Sequence, residues 1–159
     1  MSLNIRRTTE NDTSIILQFI RDLAEYEKLS HEVDACEADI SRDLFGPDPR
    51  VFCEIAEWDG KPAGFALWFY TYSTFRGRHG IWLEDLFVGP EFRGKGIGKA
   101  LIANLAKRCV DEKLPRLAWW VLNWNTPSID FYKSLGAVMQ DEWTVCRVDG
   151  DALEKLAGA

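Results

Sequence analysis

Trp82-Leu83-Glu84-Asp85-Leu86-Phe87-Val88-Gly89-Pro90-Glu91-Phe92-Arg93-Gly94-Lys95-Gly96-Ile97-Gly98-Lys99 is the stretch that decides the fold of this 159-residue chain. Residues 81–88 form an apolar run broken only by Glu84 and Asp85. Gly89-Pro90 stops any strand there, because proline supplies no ladder donor and glycine frees the backbone. Gly94, Gly96 and Gly98 then stand at alternate positions among Arg93, Lys95 and Lys99. Directly behind them, residues 100–108 read as an amphipathic helix. A buried strand thus feeds a glycine-rich turn that opens a helix. Unpaired N–H groups and the positive dipole end of a helix start attract phosphate, and the flanking cations strengthen the pull. The turn reads as an anion site for a nucleotide-like cofactor.

Three readings of the turn compete. A Walker A loop has the right spacing from Gly89 to Gly94-Lys95, but Gly96 stands where the magnesium-binding hydroxyl belongs. A dinucleotide fingerprint needs Gly-x-Gly-x-x-Gly after a first strand; here the third glycine is misplaced and the turn lies mid-chain. An ordinary surface turn needs neither three alternating glycines nor three cations. Arg93-Gly94-Lys95-Gly96-Ile97-Gly98 resembles the Arg/Gln-x-x-Gly-x-Gly/Ala loop of the GCN5-related N-acetyltransferase (GNAT) superfamily. The resemblance implies that residues 93–99 cradle the pyrophosphate of acetyl-coenzyme A.

Composition bounds the rest. A 47% hydrophobic content over 159 residues suffices for one sizeable core, so a single domain is expected; the resemblance implies that it is an N-acetyltransferase domain over residues 1–159. The net charge of −6 argues against nucleic-acid or anionic-membrane partners and tolerates a cationic substrate. Cys36, Cys53, Cys109 and Cys146 are scattered, and only His31 and His79 could join them, so no metal spacing can be built. Buried reduced thiols and a cytoplasmic location follow. The first residues turn charged too soon for a signal peptide, and no run approaches membrane-spanning length.

Taken in order, residues 3–8 alternate as a first strand. Asn11-Asp12-Thr13 offers capping oxygens for a helix to about Lys28, whose end carries Glu25, Tyr26 and Glu27 at the unfavourable pole of the dipole. A second helix covers residues 36–45. Residues 51–58 and 62–72 are strands joined through Asp59-Gly60. The central strand, the glycine turn and a helix to about Glu112 follow. Residues 117–122 are apolar on both faces and read as a buried strand. Asn125-Thr126-Pro127 caps a short helix over 128–135. Residues 137–140 and 143–148 read as a closing hairpin, and 151–156 as a terminal helical turn. The order β-α-α-β-β-β-α-β-α-β-β is mixed α/β with a mainly antiparallel sheet flanked by helices. It matches the GNAT fold, where the two middle, parallel strands splay to admit the cofactor.

Four more segments resemble one GNAT subfamily, the diamine (spermidine/spermine) N-acetyltransferases: residues 23–30 (Leu-Ala-Glu-Tyr-Glu-Lys-Leu-Ser), 72–78 (Tyr-Ser-Thr-Phe-Arg-Gly-Arg), 83–88 (Leu-Glu-Asp-Leu-Phe-Val) and 124–133 (Trp-Asn-Thr-Pro-Ser-Ile-Asp-Phe-Tyr-Lys). The first two look most like the second paralogue, whose implied acceptor is thialysine and related lysine-like amines. Ser73 stands where the polyamine-specific branch carries an aspartate. The implied protein is a homodimer that acetylates a small cationic amine.

Such chemistry must deprotonate an ammonium of pKa about 10, stabilise an oxyanion and protonate a leaving thiolate. On spacing alone Tyr132 reads first as a core tyrosine of an amphipathic helix; the resemblance implies instead the general acid, a role that suits a phenol. Glu84 resembles the residue that binds the amine and takes its proton through water. A carboxylate in an apolar strand is costly unless it is paired or working, and a salt bridge remains the other reading. Asp85 should face the opposite side by alternation and be structural. Tyr26 and Glu27 match the family's acceptor contacts; Trp119 and Trp120 read as lining the acceptor channel, with core packing the other reading for at least one of them. The backbone of Leu86, Phe87 and Val88 would pair with the pantetheine arm, one N–H polarising the thioester carbonyl. Asn125, Thr126, Pro127 and Ser128 match the segment beyond the splay, with Asn125 giving a side-chain hydrogen bond to the coenzyme. Two rivals stay open: a coenzyme-A-binding regulatory module without catalysis, and an acetyltransferase of protein amines.

Overall fold

The turn at Asp59-Gly60 forms as its residues dictate, with φ of 49° and 78° at the two central positions. Such left-handed pairs match the twist of a two-residue hairpin. The turn joins β2 (Phe52–Trp58) to β3 (Lys61–Ser73), with Trp58 opposite Lys61. The computed structural model describes residues 1–158 and divides into two compact units, Met1–Asn123 and the part from Trp124 onward.

The first unit holds one sheet in sequence order. β1 (Leu3–Arg7), β2, β3 and β4 (Arg78–Val88) pair antiparallel, and β5 (Leu117–Ala118) runs parallel to β4. Helices α1 (Thr13–Tyr26) and α2 (Glu37–Phe45) cover one face. There Ile16, Phe19 and Ile40 pack with Ile55, Phe65, Leu67 and Phe87, and Phe19 stacks on Phe65 at 5.3 Å. Successive strand side chains point to opposite faces, so Trp68 lies on the other side, where the Arg108 guanidinium of α3 (Ile97–Asp111) stands 5.1 Å over its ring. Glu54 is buried on that side. It accepts from the Trp68 indole N–H and pairs with Arg7 and Arg108, as a buried carboxylate must.

β4 contains the irregularity that positions the site. Its register against β3 jumps from Leu83 opposite Trp68 to Asp85 opposite Leu67, which leaves Glu84 as the extra residue of a β-bulge. Cross-strand partners share a face. Ile81 and Leu83 therefore lie with Tyr70 and Trp68 on the α3 side, whereas Asp85 and Phe87 lie with Leu67 and Phe65 on the α1 side. Simple alternation fails across this point.

The parallel pairing of β4 and β5 extends only over Ile81–Leu117 and Trp82–Ala118. Beyond it, residues 83–88 of β4 have no strand on that side, which agrees with the expected splay. The expected strand over 117–122 is correspondingly cut to two residues, and its two-faced burial is corrected: these side chains are half-buried and Trp120 is 60% exposed.

The second unit contains α4 (Thr126–Ser134) and α5 (Gly150–Ala157), and no strand among the described residues. The expected hairpin over 137–148 is thus a second correction. Its alternation is real, but two short strands with only each other to pair with are marginal in water; Trp143 and Val145 are exposed. A third concerns the thiols. All four are free, with Cys53 and Cys109 buried but Cys36 and Cys146 exposed. No helix among the described residues is long and apolar enough to cross a membrane.

Candidate active site

The glycine turn begins where β4 stops at Val88. Gly94 and Gly96 adopt φ of 76° and 77°, a left-handed conformation that side chains with a Cβ rarely take. A Cβ built at either would meet nothing within 4 Å. The glycines are thus required by the backbone path and leave open space above it. Gly96 is the N-cap of α3, no side chain caps the helix, and its first internal bond runs from the Ala100 N–H to the Gly96 carbonyl at 3.0 Å. The N–H groups of Ile97, Gly98 and Lys99 find no acceptor among the described residues. Three oriented donors at a dipole's positive end fit a diphosphate.

The cations divide their work. The Arg93 Nε donates to the Val88 carbonyl at 3.0 Å, and its guanidinium stands 5.2 Å over the Tyr26 ring and 5.6 Å over Phe87. Arg93 therefore ties the turn to the end of α1, and it uses one of the backbone groups assigned from sequence to the coenzyme arm. Lys95 donates to the Glu91 carbonyl at 3.3 Å beside the Trp58 ring, and Lys99 is exposed. Leu86 and Val88 are half-buried, and Phe87 is buried in the α1-side core.

Of the residues expected at the acceptor, Tyr26 ends α1 and Glu27 is its C-cap. Glu27 is half-buried, and burial raises its carboxyl above the usual range. Glu84 is exposed at the bulge, where its Oε2 accepts from the Trp82 indole N–H at 2.7 Å. The Trp82 ring meets Trp120 edge-on, 5.1 Å between centroids at 84°. Trp120 and Glu84, both predicted, are thus joined through a residue that was not. Trp119 is half-buried beside them in sequence and outside β5.

The costly carboxylate of the strand is Asp85 rather than Glu84. Burial first, then the charges of Glu84 and Glu27, push Asp85 up to about 7. The orientation expected from alternation is corrected, since the bulge turns Asp85 to the α1 side of the sheet. Trp82 could have been found from sequence, because i and i+2 share a strand face. Asp85 could not, because nothing local announces the bulge.

In the second unit, Asn125 is buried as the N-cap of α4, its Oδ1 accepting from the Ser128 N–H at 3.4 Å, with Thr126 and Pro127 in the first turn. Capping thus uses the side-chain oxygen of the residue expected to hydrogen-bond the coenzyme. Tyr132 is buried on α4 with its ring 5.5 Å from Phe131. No three His, Cys, Asp or Glu among the described residues are placed to hold a metal ion.

The sequence of the acetyltransferase (GNAT) family model matches residues 16–137. A thialysine N-epsilon-acetyltransferase of Bos taurus is 41% identical over 97% of this chain and 96% of its own length. The L-ornithine N5-acetyltransferase NATA1 of Arabidopsis thaliana is 37% identical over 80% of this chain and 53% of its own. Among solved structures, an integron cassette protein from the mobile metagenome of V. cholerae superposes with a TM-score of 0.82 at 29% identity, covering 100% of this chain and 99% of that one. The chain belongs to the GNAT family of acetyltransferases, whose co-substrate is acetyl-coenzyme A.

Proposed function

We propose that the protein transfers the acetyl group of acetyl-coenzyme A to a primary amine of a small cationic acceptor, in the class of thialysine and ornithine. The observation that carries this is the glycine turn, with open surroundings at Gly94 and Gly96, three helix N–H groups unaccepted among the described residues and Arg93 linking it to Tyr26. The names of the relatives supply the acceptor class, and Ser73 in place of an aspartate favours an amino acid over a polyamine. An acetyl group, a soluble amine and free cysteines fit a cytoplasmic, single-domain enzyme, and the family resemblance adds a homodimer.

Residues 93–99 would hold the diphosphate, and the free edge of β4 at Leu86–Val88 the pantetheine arm. Bound acetyl-coenzyme A supplies an activated thioester carbonyl. Glu84, held by the Trp82 N–H, takes a proton from the acceptor's ammonium through water, because only the free amine attacks. Glu27 and Tyr26 hold the distal part of the acceptor, and Trp119 and Trp120 wall it. Tyr132 holds a phenol proton for the leaving sulfur, and Asn125 to Ser128 contact the coenzyme. Tyr132→Phe should then lower turnover while coenzyme affinity stays; unchanged turnover removes that role.

The deciding experiment measures thiol release from acetyl-coenzyme A with thialysine, ornithine, lysine, putrescine and spermidine. Turnover highest with thialysine or ornithine is expected. Coenzyme binding without turnover on any amine would leave a binding module instead.

A further inference from the structure

Asp85 is left without a task by the mechanism above. It lies half-buried on β4, opposite Leu67 and just past the bulge. A carboxyl so placed ordinarily takes a hydrogen bond or a cation. Glu54, on the other face of the sheet, has both. Glu84 accepts from Trp82. Among the described residues the Asp85 carboxyl accepts no hydrogen bond and forms no ion pair, and the charges acting on it are all negative.

Its surroundings explain this. Glu84 approaches from its own strand, and Glu27 from the end of α1. The uncharged thiol of Cys53 on β2 and the Leu67 side chain of β3 share its face. Arg93 stands over Phe87, two residues on, but its guanidinium is turned to the rings of Tyr26 and Phe87 and its Nε to the Val88 carbonyl. No cation among the described residues is placed against Asp85, and burial with the charges of Glu84 and Glu27 pushes its carboxyl up to about 7.

We propose that Asp85 is an acceptor-binding residue, and that the acceptor's ammonium becomes its counter-ion while the carboxyl O–H proton leaves to solvent. This rests on the reading of the site as amine-acetylating. The exchange is balanced: one positive charge enters, one proton departs, and no net charge is added to a half-buried place. It selects a chemical class, since an alkylammonium can displace the proton and a neutral amide or alcohol cannot. It also separates two duties, with Asp85 seating the cation and Glu84, hydrogen-bonded and open to water, taking its proton for the reaction.

The test is titration calorimetry of thialysine binding to the full chain at pH 6, 7 and 8, in buffers of different ionisation enthalpy. A carboxyl that titrates at about 7 when free and is held ionised when occupied gives about tenfold tighter binding at pH 8 than at pH 6, and releases about half a proton at pH 7. Asp85→Asn should bind weakly, with a flat profile and no proton release. Asp85→Glu should restore the slope. A variant Asp85→Asn that keeps the tenfold rise and the released proton overturns the proposal. Should that variant fail to fold, Glu27→Gln answers instead: removing one like charge moves the midpoint of affinity against pH downward, and an unmoved midpoint overturns the proposal. Wild-type protein that acetylates thialysine yet binds it with a flat pH profile sinks this inference alone, whereas absence of acetylation with every amine sinks the functional reading beneath it.

Discussion

The two halves of β4 obey different rules. Residues 81–83 are held from both sides, by β3 throughout and by β5 at Ile81 and Trp82, and they bury Ile81 and Leu83 completely or nearly so. Residues 84–88 have β3 alone, begin with a bulged glutamate and run straight into the glycine turn. The first half is bought by burial and fixes the register. The second gives up a partner strand and places two carboxyls, a free edge and a phosphate-shaped helix start within one short stretch. The residues proposed for the chemistry are concentrated where the sheet stops satisfying itself. Substitutions in the two halves should therefore fail in different ways.

The sharpest break compares Gly96→Val with Leu83→Ala. Valine at φ 77° is strained and puts methyl groups into the space above the turn. Coenzyme affinity by calorimetry should fall by about a hundredfold or more. Gly60→Val controls for strain, since Gly60 has φ 78° and equally open surroundings but serves only a hairpin. It should cost stability and leave coenzyme binding intact. Leu83→Ala should cost about 2–5 kcal/mol in denaturant unfolding with near-normal coenzyme affinity. Affinity lost equally in all three would erase the distinction between the halves.

Next in size, Glu84→Gln should lower turnover by about a hundredfold and change the acid limb of the pH–rate profile. An unaltered profile would return Glu84 to a structural role. Trp82→Phe keeps the ring beside Trp120 but deletes the N–H on Glu84. Loss of one hydrogen bond to a charged group predicts about a tenfold fall in kcat/KM. An effect below twofold would show that Glu84 needs no orienting donor.

The same division explains what could be read from the chain alone. The glycine turn, the Asp59-Gly60 hairpin and helices α1 to α4 were legible, because their causes are local: a left-handed backbone, a capping oxygen, a 3.6-residue apolar period. Two neighbouring acids in an apolar strand were visible as an anomaly. Which of them is desolvated was not, because the bulge is decided by pairing with β3 and reverses the face of everything after it. Residues 143–148 carry a strand's alternation, yet alternation specifies a face and supplies no partner, and the second unit contains no strand among its described residues for them to join. The shortness of β5 has a similar origin, since apolar residues 119–122 fit a strand equally well whether or not a neighbour continues beside them.

The smallest effect separates the halves by sign. Asp85 titrates at about 7 in the folded chain, against an ordinary 3.8. Folding thus binds its proton more tightly, and the associated stability is complete below about pH 4, drains as pH rises and is gone above about 7. Asparagine cannot ionise and loses nothing over this range. Asp85→Asn should match wild type at pH 4 and exceed it in Tm at pH 8. The gap between 3.8 and about 7 sets a ceiling of about 4 kcal/mol. Water reaching a half-buried carboxyl lowers that to about 1 kcal/mol. Leu83→Ala, two residues away, should instead destabilise by the same amount at every pH, since no proton is involved. Saturating thialysine should close the gap between Asp85→Asn and wild type at pH 8, because the ammonium supplies the missing counter-charge only where a carboxylate remains to receive it. A gap that persists unchanged with the amine present would mean that Asp85 is strained by the fold without being available to the acceptor.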